Sequence, residues 1–157
     1  MDIKLIVVGK TSSNYIVDGL NEYLKRLKRY IDFDLEVVPD LKNNKSKTES
    51  AQKLEEGTLI LQKIKESDFV VLLDERGKQF SSIEFSEFLQ KKMLSGTKRL
   101  LFIVGGPYGF SEAVYARANS LLSLSKMTFN HEMVRLFFVE QIYRAMTILR
   151  NEPYHHG

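Results

Sequence analysis

Three stretches carry residue types that could do chemistry. The first is the C-terminal tail, where Tyr154, His155 and His156 follow a long apolar stretch bearing Glu140 and Arg144. Histidine exchanges protons near neutral pH, so the tail could serve acid–base chemistry, although a frayed end explains the same letters. Glu140 and Arg144 are spaced to pair on one helix turn, which leaves open whether Arg144 answers Glu140 or points into a site. The second stretch is GGPYGF, Gly105 to Phe110, directly after the apolar run RLLFIV. Glycines there let the backbone turn sharply and approach a ligand. The G-x-G-x-x-G spacing of a dinucleotide fingerprint is missing, and Pro107 removes an amide that a phosphate would need. The third is LSLSKMTFNHEMVR, Leu122 to Arg135, which offers backbone amides and carbonyls beside apolar side chains, the mix that recognises an adenine. His131-Glu132 begins like H-E-x-x-H, but Arg135 stands where the second histidine must fall, so no metal is expected.

Composition narrows the chemistry further. The chain has 157 residues, 43% hydrophobic and 27% charged, with no cysteine. That length suits one domain, residues 1–157, able to bury a core without disulfides. Zero cysteines exclude thiolate catalysis, Cys-ligated zinc and iron–sulfur clusters. A formal charge of +3 permits a polyanionic partner without demanding one. The N-terminal apolar run from Ile3 to Val8 is too short for a signal-peptide core or a membrane span, so a cytoplasmic protein with no membrane partner is expected.

The elements that must position these residues alternate. Apolar, β-rich runs fall at 3–9, 33–39, 69–74, 99–106 and, more weakly, 121–125. Between them lie a helix with Tyr15, Ile16, Leu20, Tyr23, Leu24 and Leu27 on one face, a second entered near Thr48 and carrying Gly57, a third opened by a Ser81–Glu84 capping box, and a short fourth opened by Ser111 and Glu112. The last helix, about His131 to Arg150, overflows a single apolar stripe and needs cover on more than one side, from the sheet and from a second subunit. Strands apolar on both faces alternating with helices predict an α/β fold, a mostly parallel sheet flanked by helices. Ligands of such sheets bind beyond the carboxyl ends of the strands, where the second and third stretches lie. The polar segment from Asp40 to Ser50, with Lys42, Lys45 and Lys47, reads as a solvated connection or a nucleic-acid contact.

Taken in order, KLIVVGK, EYLKRL, LLDERGK, LFIVGGPYGF, SLSKMTFNHEMVR, EQIYRA and the closing PYH resemble the RlmH family across essentially the whole chain. These are small SPOUT-class methyltransferases acting on N3 of a pseudouridine in 23S ribosomal RNA of the large subunit. The resemblance implies a C-terminal trefoil knot, a homodimer, and S-adenosyl-L-methionine as methyl donor. It puts the cofactor at Leu73, Gly105, Leu124, Ser125, Lys126, Met127, Thr128 and Phe129, and the catalytic groups at His155 as base with Tyr154 and Arg144 as positioning or electrostatic partners, reaching across the dimer. The acceptor imide must lose a proton to become a nucleophile, which calls for a base or nearby positive charge. Lys25, Arg26, Lys28 and Arg29, the 42–47 lysines, and Lys98 with Arg99 could meet RNA phosphates in an assembled ribosome or large subunit. Two other readings stay open on the residues alone: a non-catalytic ribosome-associated RNA-binding protein, and a nucleotide-binding domain of flavodoxin or Rossmann type.

Overall fold

The computed structural model describes residues 1–40 and 47–157. The expectations attached to Lys42 and Lys45 lie outside them. In chain order the elements are β1 (Asp2–Val8), α1 (Asn14–Leu27), β2 (Asp32–Val38), α2 (Glu49–Gln62), β3 (Phe69–Gln79), α3 (Ser82–Leu94), β4 (Arg99–Val104), α4 (Glu112–Arg117), β5 (Ser120–Ser123) and α5 (His131–Leu149). The strands form a sheet in the order β2-β1-β4-β3-β5, and every pairing is parallel. Among the described residues no helix is long and apolar enough to cross a membrane.

Side chains alternate across a pleated strand, so each central strand feeds two cores. Ile3, Leu5 and Val7 of β1 face the layer built from Ile16 and Leu20 of α1, Phe85 and Leu89 of α3, and Phe138 and Ile142 of α5. Ile6 and Val8 face Ile60 of α2 and Val114 of α4 on the other side. Caps set the helix starts. Thr48 accepts from the Ala51 amide, the Ser81–Glu84 box closes in both directions, and Ser111 accepts from Val114. Gly57 costs its helix about 1 kcal/mol relative to alanine. Its role is packing, because a Cβ there would collide with the Ser111 hydroxyl where α2 crosses the start of α4.

Three expectations change. The excess apolar surface of α5 is covered largely within the chain: α5 lies in the same core as α1 and α3, and Phe138 packs on Phe102 at 4.7 Å between ring centroids. What stays open on α5 is centred on Phe137, 39% exposed, whose ring meets Phe129 of the preceding loop at 5.1 Å between centroids. Arg99 does not present its charge to solvent. Its guanidinium holds the buried Asp68 carboxylate at 2.5 and 2.8 Å and the Lys63 carbonyl at 2.8 Å. Finally, β3 runs five residues past the expected end at Asp74. Leu73 and Lys78 both register with Leu122, so Asp74 to Gly77 lift out of the ladder as a bulge. At Gly77 the β5 backbone passes so closely that a Cβ would lie 2.5 Å from the Leu122 amide nitrogen.

Candidate active site

The carboxyl ends of β3, β4 and β5 open into one cavity of about 470 Å³. Leu73, Gly105, Leu124, Ser125, Met127, Thr128 and Phe129, all expected from the sequence, line it; Lys126 stands exposed in the same loop, outside the lining. Leu73, Val104, Leu122, Phe129 and Val134 give apolar walls, while the Gly105–Gly106 turn and the 124–129 loop bring backbone to the surface. The loop is fixed by its own small side chains. The Ser123 hydroxyl donates to the Ser125 carbonyl at 3.0 Å, the Met127 amide donates to the Ser125 hydroxyl at 2.9 Å, and Asn130 caps α5. The turn is held from behind by Glu56, buried on α2 and bonded by Gln52 at 3.1 Å. A Cβ at Gly106 would strike the Glu56 carboxylate, and burial pushes that carboxyl above its usual range.

The β3 bulge supplies an acidic rim. Asp74 accepts from the Tyr115 hydroxyl and from the Arg76 amide at 2.8 Å, and Glu75 accepts from Thr128 at 2.9 Å, tying the bulge to the opposite loop. Burial pushes the Asp74 carboxyl up, but the Tyr115 and Arg76 hydrogen bonds outweigh it and hold the group below the usual carboxylate range. Arg76 in turn lies over the Tyr115 ring at 4.8 Å. Backbone donors and acceptors, apolar walls and a carboxylate rim suit a ligand that combines an adenine with a cationic centre.

The residues that mimic a metal motif have other work. Glu132 accepts the Ser12 amide and hydroxyl and the Ser13 amide at 2.8–3.2 Å, so a side chain of α5 satisfies the free donors at the start of α1. Its carboxyl is lowered to about 2, chiefly by the Ser13 amide. Arg135 is buried, donating to Thr11 at 2.7 Å and to the Val8 carbonyl at 2.7 Å.

The C-terminal tail is ordered against the far end of α5. Glu140 receives Arg144 Nη2 at 2.7 Å and the Tyr154 hydroxyl at 2.7 Å, and Arg144 Nη1 meets His155 Nδ1 at 3.1 Å. Tyr154 has one proton and gives it to Glu140, so the Tyr23 hydroxyl, 3.0 Å away, donates to Tyr154. Burial, then these two hydrogen bonds, push the Tyr154 phenol well above its usual value. A guanidinium can only donate, so His155 Nδ1 accepts and the ring is neutral, with its proton on Nε2. None of Arg144, Tyr154 and His155 lines the cavity at the strand ends; Glu140 lines a second cavity of about 340 Å³ that shares Leu122, Ser123, Leu124 and Phe129 with the first.

Sequence reasoning named the residues that gather at the strand ends and in the tail and missed what supports them: Glu56 behind the turn, Asp74 with Tyr115 on the rim, Glu132 and Arg135 at the root of α5 and Tyr23 behind Tyr154. The signal available was weak, since buried charge is visible only as a polar letter inside an apolar helix.

A family model described as predicted SPOUT methyltransferase matches residues 1–155. The chain is 60% identical over 156 residues to the ribosomal RNA large subunit methyltransferase H of Parabacteroides distasonis, and equally so to that of Flavobacterium johnsoniae, in each case covering 99% of both chains. Among solved structures, a probable methylase family protein from Haemophilus influenzae superposes with a TM-score of 0.50 at 15% identity, over 95% of this chain and 66% of that longer one, a likeness of fold alone. The threaded C-terminal segment expected from the resemblance goes with this fold class. The chain therefore belongs to the SPOUT methyltransferases, in the family of ribosomal RNA large subunit methyltransferase H.

Proposed function

We propose that the protein is a 23S rRNA (pseudouridine-N3)-methyltransferase that uses S-adenosyl-L-methionine, working as a homodimer on the assembled ribosome or large subunit in the cytoplasm. The observation that carries this reading is the cavity at the ends of β3, β4 and β5, whose backbone turns, apolar walls and acidic rim fit that cofactor, in a chain 60% identical to relatives named for this class of reaction. When bound, the cofactor supplies an activated methyl on a cationic sulfur. The Gly105–Gly106 turn and residues 124–129 orient it and exclude water, and the Asp74–Glu75 rim favours its positive charge.

The acceptor N3 must lose its proton, which passes to solvent water or hydroxide, and the resulting charge spreads onto the two neighbouring carbonyl oxygens. Arg144 and His155 are the donors suited to those oxygens: Arg144 carries permanent charge, and His155 presents Nε2–H while Arg144 occupies Nδ1. This arrangement favours a hydrogen-bonding, charge-stabilising role for His155 over the base role expected from the sequence. Tyr154 and Glu140 hold Arg144 in place. Because this cluster does not line the cavity of its own chain, a second copy docking on the exposed Phe137 face of α5 is what would join the two halves of the site.

The deciding experiment is transfer of radiolabelled methyl from S-adenosyl-L-methionine to purified ribosomes and large subunits. Label at a pseudouridine is expected; no label in RNA from any assembly state overturns the reading. Calorimetry gives the companion result, with S-adenosyl-L-methionine binding and NAD not.

A further inference from the structure

The basic face of α1 is organised in a way its letters do not show. A groove of about 490 Å³ runs between the end of α1 and the end of α5, lined by Glu22, Lys25, Arg26, Arg29, Tyr30 and Tyr143. Its floor is aromatic: Tyr143 meets Tyr30 edge-on at 5.7 Å and Tyr23 at 5.6 Å. Its rim is cationic, and the arginines are already laid on the rings. Arg26 sits 5.6 Å from the Tyr23 centroid and 5.5 Å from that of Tyr143, while Arg29 and Arg150 lie over Tyr30 at 5.6 and 4.5 Å. Arg150 also donates to the Arg29 carbonyl at 3.2 Å, and Tyr30 donates to Glu152 at 2.6 Å, so rim and floor are braced by the tail. The one acid on the rim, Glu22, is used by Arg26 at 2.9 Å, which leaves Lys25 and Arg29 to face solvent.

Aromatic faces next to oriented guanidinium groups are what single-stranded RNA uses, with bases stacking on rings and phosphates meeting the cations. The groove shares a wall with the catalytic cluster, because Tyr143 packs on Tyr154 at 4.8 Å. Taking the ribosomal RNA reading as given, we infer that this groove seats the nucleotide beside the target base, its phosphate held by Lys25 and Arg29 and its base against Tyr143 or Tyr30. A groove this close to Tyr154 couples RNA docking to the position of Arg144, which lies over that ring at 4.7 Å, and through it to His155, bonded to Arg144 at 3.1 Å.

Two measurements test this. In methyl transfer to ribosomes, Lys25→Glu and Arg29→Glu should raise the KM for ribosomes about tenfold while leaving turnover at saturation and cofactor affinity near wild type. Each should also flatten the dependence of log affinity on log salt by about one unit. Lys91→Glu, an exposed change on α3, is the control and should do neither. A KM and salt slope matching those of Lys91→Glu would overturn the inference. With wild-type protein, Lys25 should be protected from acetylation when ribosomes are added and Lys91 should not; equal labelling of Lys25 free and bound would overturn it too. Wild-type protein that transfers no methyl fails the functional reading instead, and the Lys25 protection still decides the groove.

Discussion

The two ends of α5 are built on different principles. At its start the cavity is made from main chain: glycine turns, a bulge and a loop stitched by serine and threonine hydroxyls. At its finish the cluster is made from side chains, with Glu140, Arg144, Tyr154, His155 and Tyr23 joined through charge and hydrogen bonds. A group that arrives activated needs shape and orientation, which backbone supplies rigidly. A reacting base whose charge changes needs donors of fixed geometry, and a guanidinium and an imidazole locked by their neighbours can supply them.

This contrast can be broken at either end. Removing a donor from the tail should cost most in rate: His155→Ala is expected to lower turnover on the order of 10²–10³-fold, about 3–4 kcal/mol, with calorimetric affinity for S-adenosyl-L-methionine retained. Unchanged turnover would remove His155 from the chemistry, and an acid limb in the pH–rate profile that vanishes in His155→Gln would return it to the role of base. At the other end, adding atoms should do the damage. Gly77→Ala puts a methyl against the β5 backbone, where no side chain can yield, and should destabilise by about 2–3 kcal/mol and weaken S-adenosyl-L-methionine binding together, read by thermal unfolding and calorimetry.

The root of α5 should respond next. Glu132→Gln replaces an ionised acceptor of three donors and should cost about 2 kcal/mol near neutral pH. The sign of its pH dependence follows from the lowered carboxyl. Between 4.5 and about 2 the unfolded chain binds a proton that the folded chain does not, so the wild type's advantage is complete above that window and is lost as pH falls through it. Parallel acid-unfolding curves for the two proteins would refute this. The smallest effect belongs to the exposed Glu22–Arg26 pair, where Glu22→Gln should lower the thermal midpoint only slightly at low salt and not at all at high salt.

Much of this layout was legible in the sequence, for physical reasons that differ by region. Strands buried on both faces write themselves as continuous apolar runs, and the caps at Thr48, Ser81 and Ser111 are local, so those elements fell where expected. The extension of β3 did not show, because Glu75, Arg76 and Lys78 are exposed and carry no apolar signature. Ion pairs and hydrogen bonds closed across long stretches of chain leave no periodicity either. Glu132 reaches back to Ser12 and Ser13, and Arg99 turns inward to Asp68 where its letter suggested a free surface charge. The strand exits were visible as glycine and small polar residues; the cofactor itself entered through the family resemblance carried by the ordered motifs.

The double register of Leu122 against Leu73 and Lys78 has a thermodynamic corollary. Seating β5 closes the edge of the sheet and fixes the entrance to the 124–129 loop in one event, so a chain that has not seated β5 has no cavity to offer. A ligand of that cavity therefore sees only the finished fold, and each tenfold rise in its free concentration above Kd should stabilise the protein by about 1.4 kcal/mol.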